Sequence, residues 1–282
     1  MILLLISMAC GPKKPVAQKA DPLLAARGDV VDDYHGTSVA DPYRWMEDAE
    51  SAEVKAWTNE QNKRFYGHMS GSAEQQFMEQ RLKSLWRYDD VSVPEPCLSK
   101  PDSEVYWSKR SDQDKWVVHL RRKDGDVIAD QIIIDPNKWG EKETLSGFYP
   151  SPDCRYAAFG KARAGDENPV IREMDLTTGE QLSDSLSGWK QRSVSWKHDN
   201  SGFYYASWPT EVESPNGDPN YWHRAKYHPL GGDGSTDVVV MSSDEHKEFF
   251  HGAGINESGE WLIKGRYSFD TGKVWLQKAN DV

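Results

Sequence analysis

Three kinds of side chain in this 282-residue chain could do chemistry: hydroxyls beside glycine, histidines in pairs, and neighbouring carboxylates. A nucleophilic serine needs a base within hydrogen-bond reach. On an α/β-hydrolase scaffold it also needs small neighbours on a strained strand-to-helix turn, written Gly-x-Ser-x-Gly. That pattern does not occur. Ser70-Gly71, Ser201-Gly202 and Ser258-Gly259 lack the preceding glycine at the right distance and read as turns, so no catalytic residue is assigned. His223 and His228 are five apart, as are His246 and His251, whereas a His-Glu-x-x-His zinc site places its ligands at i, i+4 on a helix. Both pairs fall in segments that read as strand or loop, so they are taken as surface or strand-packing histidines and no metal is expected. Asp32-Asp33 and Asp89-Asp90 are adjacent, and adjacent side chains on an extended chain face opposite ways, which argues against paired acid–base work. Gly231-Gly232-Asp233-Gly234 reads as a hairpin turn rather than a phosphate loop, and no cofactor is expected. A net charge of -11 argues against nucleic acid, because phosphate binding needs a basic surface.

The densest cluster of distinctive side chains lies in residues 33–45, Asp-Tyr-His-Gly-Thr-Ser-Val-Ala-Asp-Pro-Tyr-Arg-Trp. Pro42 fixes its own φ and pushes Asp41 toward an extended conformation, and Gly36 supplies a turn. Tyr34, Tyr43 and Trp45 carry too much apolar surface to stay in water, so this strap must lie against something. His35 is expected to hydrogen-bond locally. Arg44 reads as a structural stack with Tyr43 and Trp45, with a ligand-gripping cation–π site as the alternative.

Two helices follow the strap. Ser51 can cap the first, with Glu50 and Glu53 at its positive end and Val54, Trp57 and Phe65 along one side. Ser72-Ala-Glu-Gln75 has the pattern of a capping box at the start of the second, where Met78, Leu82 and Leu85 follow at i, i+4, i+7. Beyond Tyr88 the helical period gives way to short strands.

The strands repeat one phrase: a turn with an acidic residue or a glycine, then aromatic and small residues. It occurs at 101–107, 151–159, 196–205 and 256–263, a spacing of about fifty residues. Second strands follow at 116–121, 170–176, 221–228 and 273–277, and further strands at 131–134 and 238–241. Four short strands per fifty-residue period is the signature of a β-propeller, with a β-sandwich as the alternative. Three phrases are full and a fourth is mostly present.

At the amino end, five apolar residues in a row are too few for a membrane span, which takes about 20. A short apolar stretch, a small residue and Cys10 resemble a bacterial lipoprotein signal, with an ordinary signal as the alternative. The lipoprotein resemblance implies acylation of Cys10, export, and membrane contact only through that lipid. Residues 11–27 read as a flexible linker. Cys97 and Cys154, 57 positions apart in different blades, read as buried thiols, with a disulfide, which export would permit, as the alternative.

The segment from Val31 through Met46-Glu47-Asp48 to Trp57 and Gln61-Asn62-Lys63 closely resembles the start of the prolyl oligopeptidases, a family of serine peptidases. The resemblance covers roughly residues 28 to 282. It implies a mainly β fold: an incomplete seven-bladed β-propeller of about three and a half blades over residues 87–282, preceded by an α-helical segment over 28–86. In the family the strap braces a carboxy-terminal α/β-hydrolase domain, the propeller filters substrates by size, and a Ser-His-Asp triad cleaves short peptides after proline. The triad lies after the propeller in the family, so this chain is expected to lack the hydrolase domain and to be inactive alone. The partners then expected are that domain and short proline-containing peptides. A non-catalytic, lipid-anchored propeller that binds a peptide or protein is the alternative.

Overall fold

The computed structural model describes residues 25–281 except 113, 164, 191, 192 and 216. Cys10 and most of the linker lie outside the described residues. The chain divides into two compact units, one ending at Ser84 and one beginning at Leu85.

In the first unit, β1 (Val31–Tyr34) and β2 (Thr37–Ala40) form an antiparallel hairpin. Its turn holds His35 at φ 56° and Gly36 at φ 85°, the two positive φ values of a type I′ hairpin, where glycine relieves the steric cost. The N–H of Gly36 donates to Asp33 Oδ1 at 2.7 Å. The helix α1 (Ala52–Met69) starts where Ser51 Oγ accepts the Val54 N–H at 3.2 Å. At α2 (Ala73–Leu85), Ser72 Oγ accepts the Gln75 N–H at 3.0 Å. Gln75 Oε1 in turn accepts from Gly71 N, one residue before the cap that a regular capping box would bond. Neither helix buries a residue, and Phe65 and Phe77 are 57% and 66% exposed. Among the described residues no helix is long and apolar enough to cross a membrane.

The second unit is four antiparallel sheets in chain order, each a meander. The first contains β3 (Asp90–Val91), β4 (Glu95–Pro96), β5 (Glu104–Arg110), β6 (Val117–Asp124) and β7 (Val127–Ile134). Both β3 and β4 pair with β5, so this inner strand is split in two. Pro94 lies in the break, where it has no N–H to offer a ladder. The second sheet is β8 (Glu143–Pro150), β9 (Tyr156–Arg163), β10 (Val170–Asp175) and β11 (Gln181–Leu186). The third is β12 (Val194–Trp196), β13 (Gly202–Ser207), β14 (Arg224–Pro229) and β15 (Val238–Met241), and the fourth β16 (Phe250–Ile255), β17 (Trp261–Tyr267) and β18 (Gly272–Lys278).

The repeated phrase is one repeated turn. Cys154, Asn200 and Gly259 occupy the same position in the inner hairpins of sheets two, three and four, with φ of 50°, 59° and 77°. The N–H of each bonds the carbonyl three residues earlier, Ser151, Lys197 and Asn256, at 2.8–3.0 Å. Those three residues each donate their own N–H to the carbonyl five residues later, closing the hairpin the same way.

The apolar core lies between sheets rather than within one. Sheets one and two share Val118, Leu120, Phe159 and Leu176. The thiols expected to be separate are instead a disulfide, Cys97–Cys154, with Cα atoms 5.7 Å apart. The correction has a simple cause: both cysteines sit in inner-hairpin turns of neighbouring blades, and the blade period brings those turns side by side. Sheets two and three share Ile171, Trp189, Trp196 and Phe203, and the Trp196 indole N–H donates to Tyr149 O at 2.9 Å. A Cβ on Gly160 would run into the buried Trp189 ring, so only glycine fits there. Between sheets three and four, Trp208 packs edge-on to Phe250 and the Ile255 N–H donates to Ser195 Oγ at 2.9 Å.

Candidate functional site

The strap is organised by charge. Arg44 Nε donates to Asp41 Oδ2 at 2.7 Å, a second guanidinium nitrogen donates to Asp32, and Glu47 lies 3.5 Å away. The guanidinium hydrogen bond holds the Asp41 carboxyl below its usual range, and Asp41 and Asp32 together raise the pKa of Arg44. The expected stack of Arg44 on its aromatic neighbours gives way to this carboxylate clamp, because Asp32 on β1 and Asp41, the residue after β2 whose N–H donates to Val30 O, both reach the guanidinium. Arg27 takes the cation–π place instead, 5.5 Å from the Tyr43 ring centre. Trp45 donates its indole N–H to Ala26 O at 2.8 Å and meets Trp57 edge-on. His35 is exposed, and its contribution is the backbone of the turn rather than the local side-chain hydrogen bond expected of it. Pro42 O accepts from Gly28 N at 2.8 Å. Tyr34 and Tyr43 remain 57% and 41% exposed.

In the second unit the inner strand ends of all four sheets line a cavity of about 500 Å³. Glu95 and Tyr106 face it from the first sheet, Phe148 and Pro150 from the second, Trp196 from the third and Ile255 from the fourth. The Tyr106 hydroxyl donates to Glu95 Oε2 at 2.8 Å. The cavity's serines are committed to structure: Ser151 Oγ donates to Asp153 and accepts the Tyr156 N–H, while Ser195 Oγ accepts the Ile255 N–H. Such a wall offers apolar contact, the carboxylates of Glu95 and Glu257, and the ring of His198. It offers no activated hydroxyl.

The histidines converge crosswise to their sequence spacing. His223 meets His251, with nearly parallel rings 6.3 Å apart, and both are buried. The His251 N–H donates to His223 Nδ1 and His251 Nδ1 donates to the His223 carbonyl, both at 2.7 Å. His223 therefore carries its proton on Nε2 and cannot offer that nitrogen to a metal. His228 is enclosed elsewhere, with Nδ1 2.6 Å from Asp237 Oδ1 and Nε2 3.6 Å from Glu173 Oε2. With a carboxylate at each nitrogen, its ring is not placed to activate a serine. His246 is exposed, 3.5 Å from Glu248. Among the described residues no three histidine, cysteine or acidic side chains are placed to hold a metal ion. The acidic pairs and the Gly231–Gly234 segment form no site; Asp233 and Gly234 lie in the connection from β14 to β15. The sequence spacing missed the buried histidines because His223 meets His251, and His228 meets Glu173, from neighbouring blades, while Asp237 reaches His228 from its own blade's connection nine residues on.

The model of the prolyl oligopeptidase N-terminal β-propeller domain matches residues 22–281. The chain belongs to the prolyl oligopeptidase family. It is 29% identical over 236 residues to a prolyl endopeptidase of Elizabethkingia meningoseptica, covering 82% of this chain and 32% of that protein. Prolyl oligopeptidase A of Amanita bisporigera is 26% identical over 270 residues, covering 84% of this chain and 35% of that one. The chain thus spans about a third of the length of the curated relatives it matches. A structure from a study of two prolyl endopeptidases superposes with a TM-score of 0.78 at 25% identity, covering 90% of this chain and 38% of the other. Prolyl oligopeptidase B of Galerina marginata, bound to a 35-residue hydrolysis and macrocyclisation substrate, superposes at 0.73 with 22% identity over 90% of this chain and 38% of its own. The mainly β architecture of successive antiparallel sheets is therefore the prolyl oligopeptidase propeller, present as three full sheets and a three-stranded fourth.

Proposed function

We propose that this chain is the propeller-bearing part of a prolyl oligopeptidase-type serine endopeptidase. In the complete enzyme a hydrolase module with the Ser-His-Asp triad cleaves short peptides after proline, and this segment alone does not. The observation that carries the reading is the family match over residues 22–281, which is to the propeller model. The exposed strap supports it, since aromatics held in a fixed hairpin with 57% of Tyr34 in water suit a surface that another module covers. The purified chain should give no turnover of a succinyl-Gly-Pro-chromophore substrate, and cleavage sensitive to a serine reagent would overturn the reading. A downstream reading frame encoding Gly-x-Ser-x-Gly would support it, and a downstream sequence without one would count against it.

The location that fits is export, anchored through Cys10 or released after cleavage of an ordinary signal. The Cys97–Cys154 bridge supports this, because structural disulfides persist in oxidising compartments and are rare in the cytosol. Metabolic labelling with a fatty-acid analogue tests the anchor: loss of label in Cys10→Ser supports it, and equal label in both forms rules it out.

A further inference from the structure

The seam between the second and third sheets contains a cluster of ionisable groups that the peptidase reading leaves unused. Glu173 comes from β10 of the second sheet, His228 from β14 of the third, and Asp237 from the end of the connection into β15. All three side chains are at most 1% exposed. Tyr205, on β13, donates its hydroxyl to Asp237 Oδ2 at 2.6 Å. The Gly231 N–H crosses the seam to Glu173 Oε2 at 2.9 Å. Glu173 Oε1 is buried with no hydrogen-bond partner among the described residues. Asp233, four residues after Pro229, adds a further carboxylate on the same connection.

Two carboxylates this dry cannot both stay ionised beside a neutral ring without a large desolvation cost. A doubly protonated His228 resolves that, donating from Nδ1 to Asp237 and facing Glu173 with Nε2. We propose that the Glu173–His228–Asp237 cluster is an alkaline-sensitive latch: the imidazolium closes the seam between sheets two and three, and its deprotonation opens that seam locally. When the proton leaves the ring, the two carboxylates on opposite sides of the seam lose the positive charge between them, and the Gly231 bond to Glu173 is the first to be strained by their repulsion. The direction of titration fits. Burial opposes the charged ring, yet the hydrogen bonds and charges of Asp237 and Glu173 outweigh it and push the pKa up to about 9. The latch stays closed while the folded ring keeps its proton; against an unfolded value of about 6.5, the stability it contributes is fully present below that pH and is lost as pH rises through about 9.

The test uses the wild-type 282-residue chain. Side-chain nitrogen NMR of His228 is followed from pH 6 to 10. Over the same range, hydrogen exchange is read at the Gly231 amide and the Trp196 indole N–H, each corrected for base-catalysed intrinsic exchange. Both protons cross the seam, and amides inside β9 and β13 are the controls. The expected result is a ring that keeps both protons well above pH 7, and corrected exchange at the two seam protons that rises at least tenfold as the ring titrates while the controls hold. A ring that is singly protonated at pH 7 overturns the proposal. So does seam protection that ignores the titration, and so does simultaneous loss at seam and controls. His228→Gln should exchange at pH 7 as the wild type does at pH 10, with no further rise; if that variant does not fold, the wild-type titration still decides.

Discussion

Two buried histidine contacts flank the third sheet, and their surroundings shift the rings in opposite directions. On one side His228 sits between Glu173 and Asp237. On the other, His223 and His251 exchange bonds with each other's backbone. His223, His228 and His251 are 2%, 0% and 1% exposed, so burial does not separate them. Burial drives all three toward the neutral form, and His223 falls to about 3, with its neighbour His251 adding to the fall. Only His228 has carboxylates at its nitrogens to reverse that. In a dry seam the partner atom, not the depth, decides whether an imidazole is an ion.

The largest effect should come from replacing each ring by a benzene of similar size. His228→Phe leaves two buried carboxylates uncompensated and should cost about 3–5 kcal/mol in urea unfolding. His223→Phe loses one hydrogen bond and leaves the His251 N–H without an acceptor, a cost of about 1–3 kcal/mol. Equal costs would dissolve the distinction between the two seams.

Reducing the bridge probes the remaining seam. The sulfurs of Cys97 and Cys154 close a loop of 57 positions. Chain-entropy reasoning gives about 4 kcal/mol for such a loop, and Cys97→Ser/Cys154→Ser should lower unfolding free energy by about 2–4 kcal/mol. The dependence of stability on pH should keep its shape in that variant, because neither histidine contact lies at that seam. A changed acid or alkaline limb would show that the seams are coupled.

Acid separates the two histidine contacts by sign. His223 is neutral when folded and protonates near pH 6.5 when unfolded, so the unfolded chain binds more protons between about 6.5 and 3. Stability should therefore fall as pH drops, by about 2 kcal/mol from pH 6.5 to 5, while the His228 contribution stays constant there. His223→Phe should flatten this limb in urea titrations at stepped pH. An unchanged slope would assign the acid limb to other groups.

Much of this was legible in the chain, but unevenly. The fifty-residue phrase located the second strand of each sheet because the turn chemistry is local: Asn200 and Gly259 suit a left-handed position, and Pro152 suits the one two residues before it. Ser51 and Ser72 marked both helix starts for the same reason. The hairpin 31–40 is less legible, because its strands are only four residues each, although His35-Gly36 is a two-residue turn between them. The seams were opaque. His223 and His251 are 28 positions apart, and Glu173 and Asp237 are 64 apart, so no spacing rule could bring either pair together. The Cys97–Cys154 bridge lay closest to view: equivalent turns in consecutive blades are neighbours, and placing both cysteines in such turns would have paired them.

The smallest effect tests whether the seam comparison is confined to the second unit. Ser51 Oγ accepts the Val54 N–H and relieves one of the first-turn donors of α1, which has no other intrahelical partner. Ser51→Ala should cost about 1 kcal/mol, read as loss of helical circular dichroism at lower urea. Because the first unit contains neither histidine contact, the acid slope and the corrected exchange of the Gly231 amide should match the wild type. A Ser51→Ala protein with altered Gly231 exchange would mean that the helical unit sets the tension of the blade seams, and the contrast between His228 and His223 could then no longer be explained by their partner atoms alone.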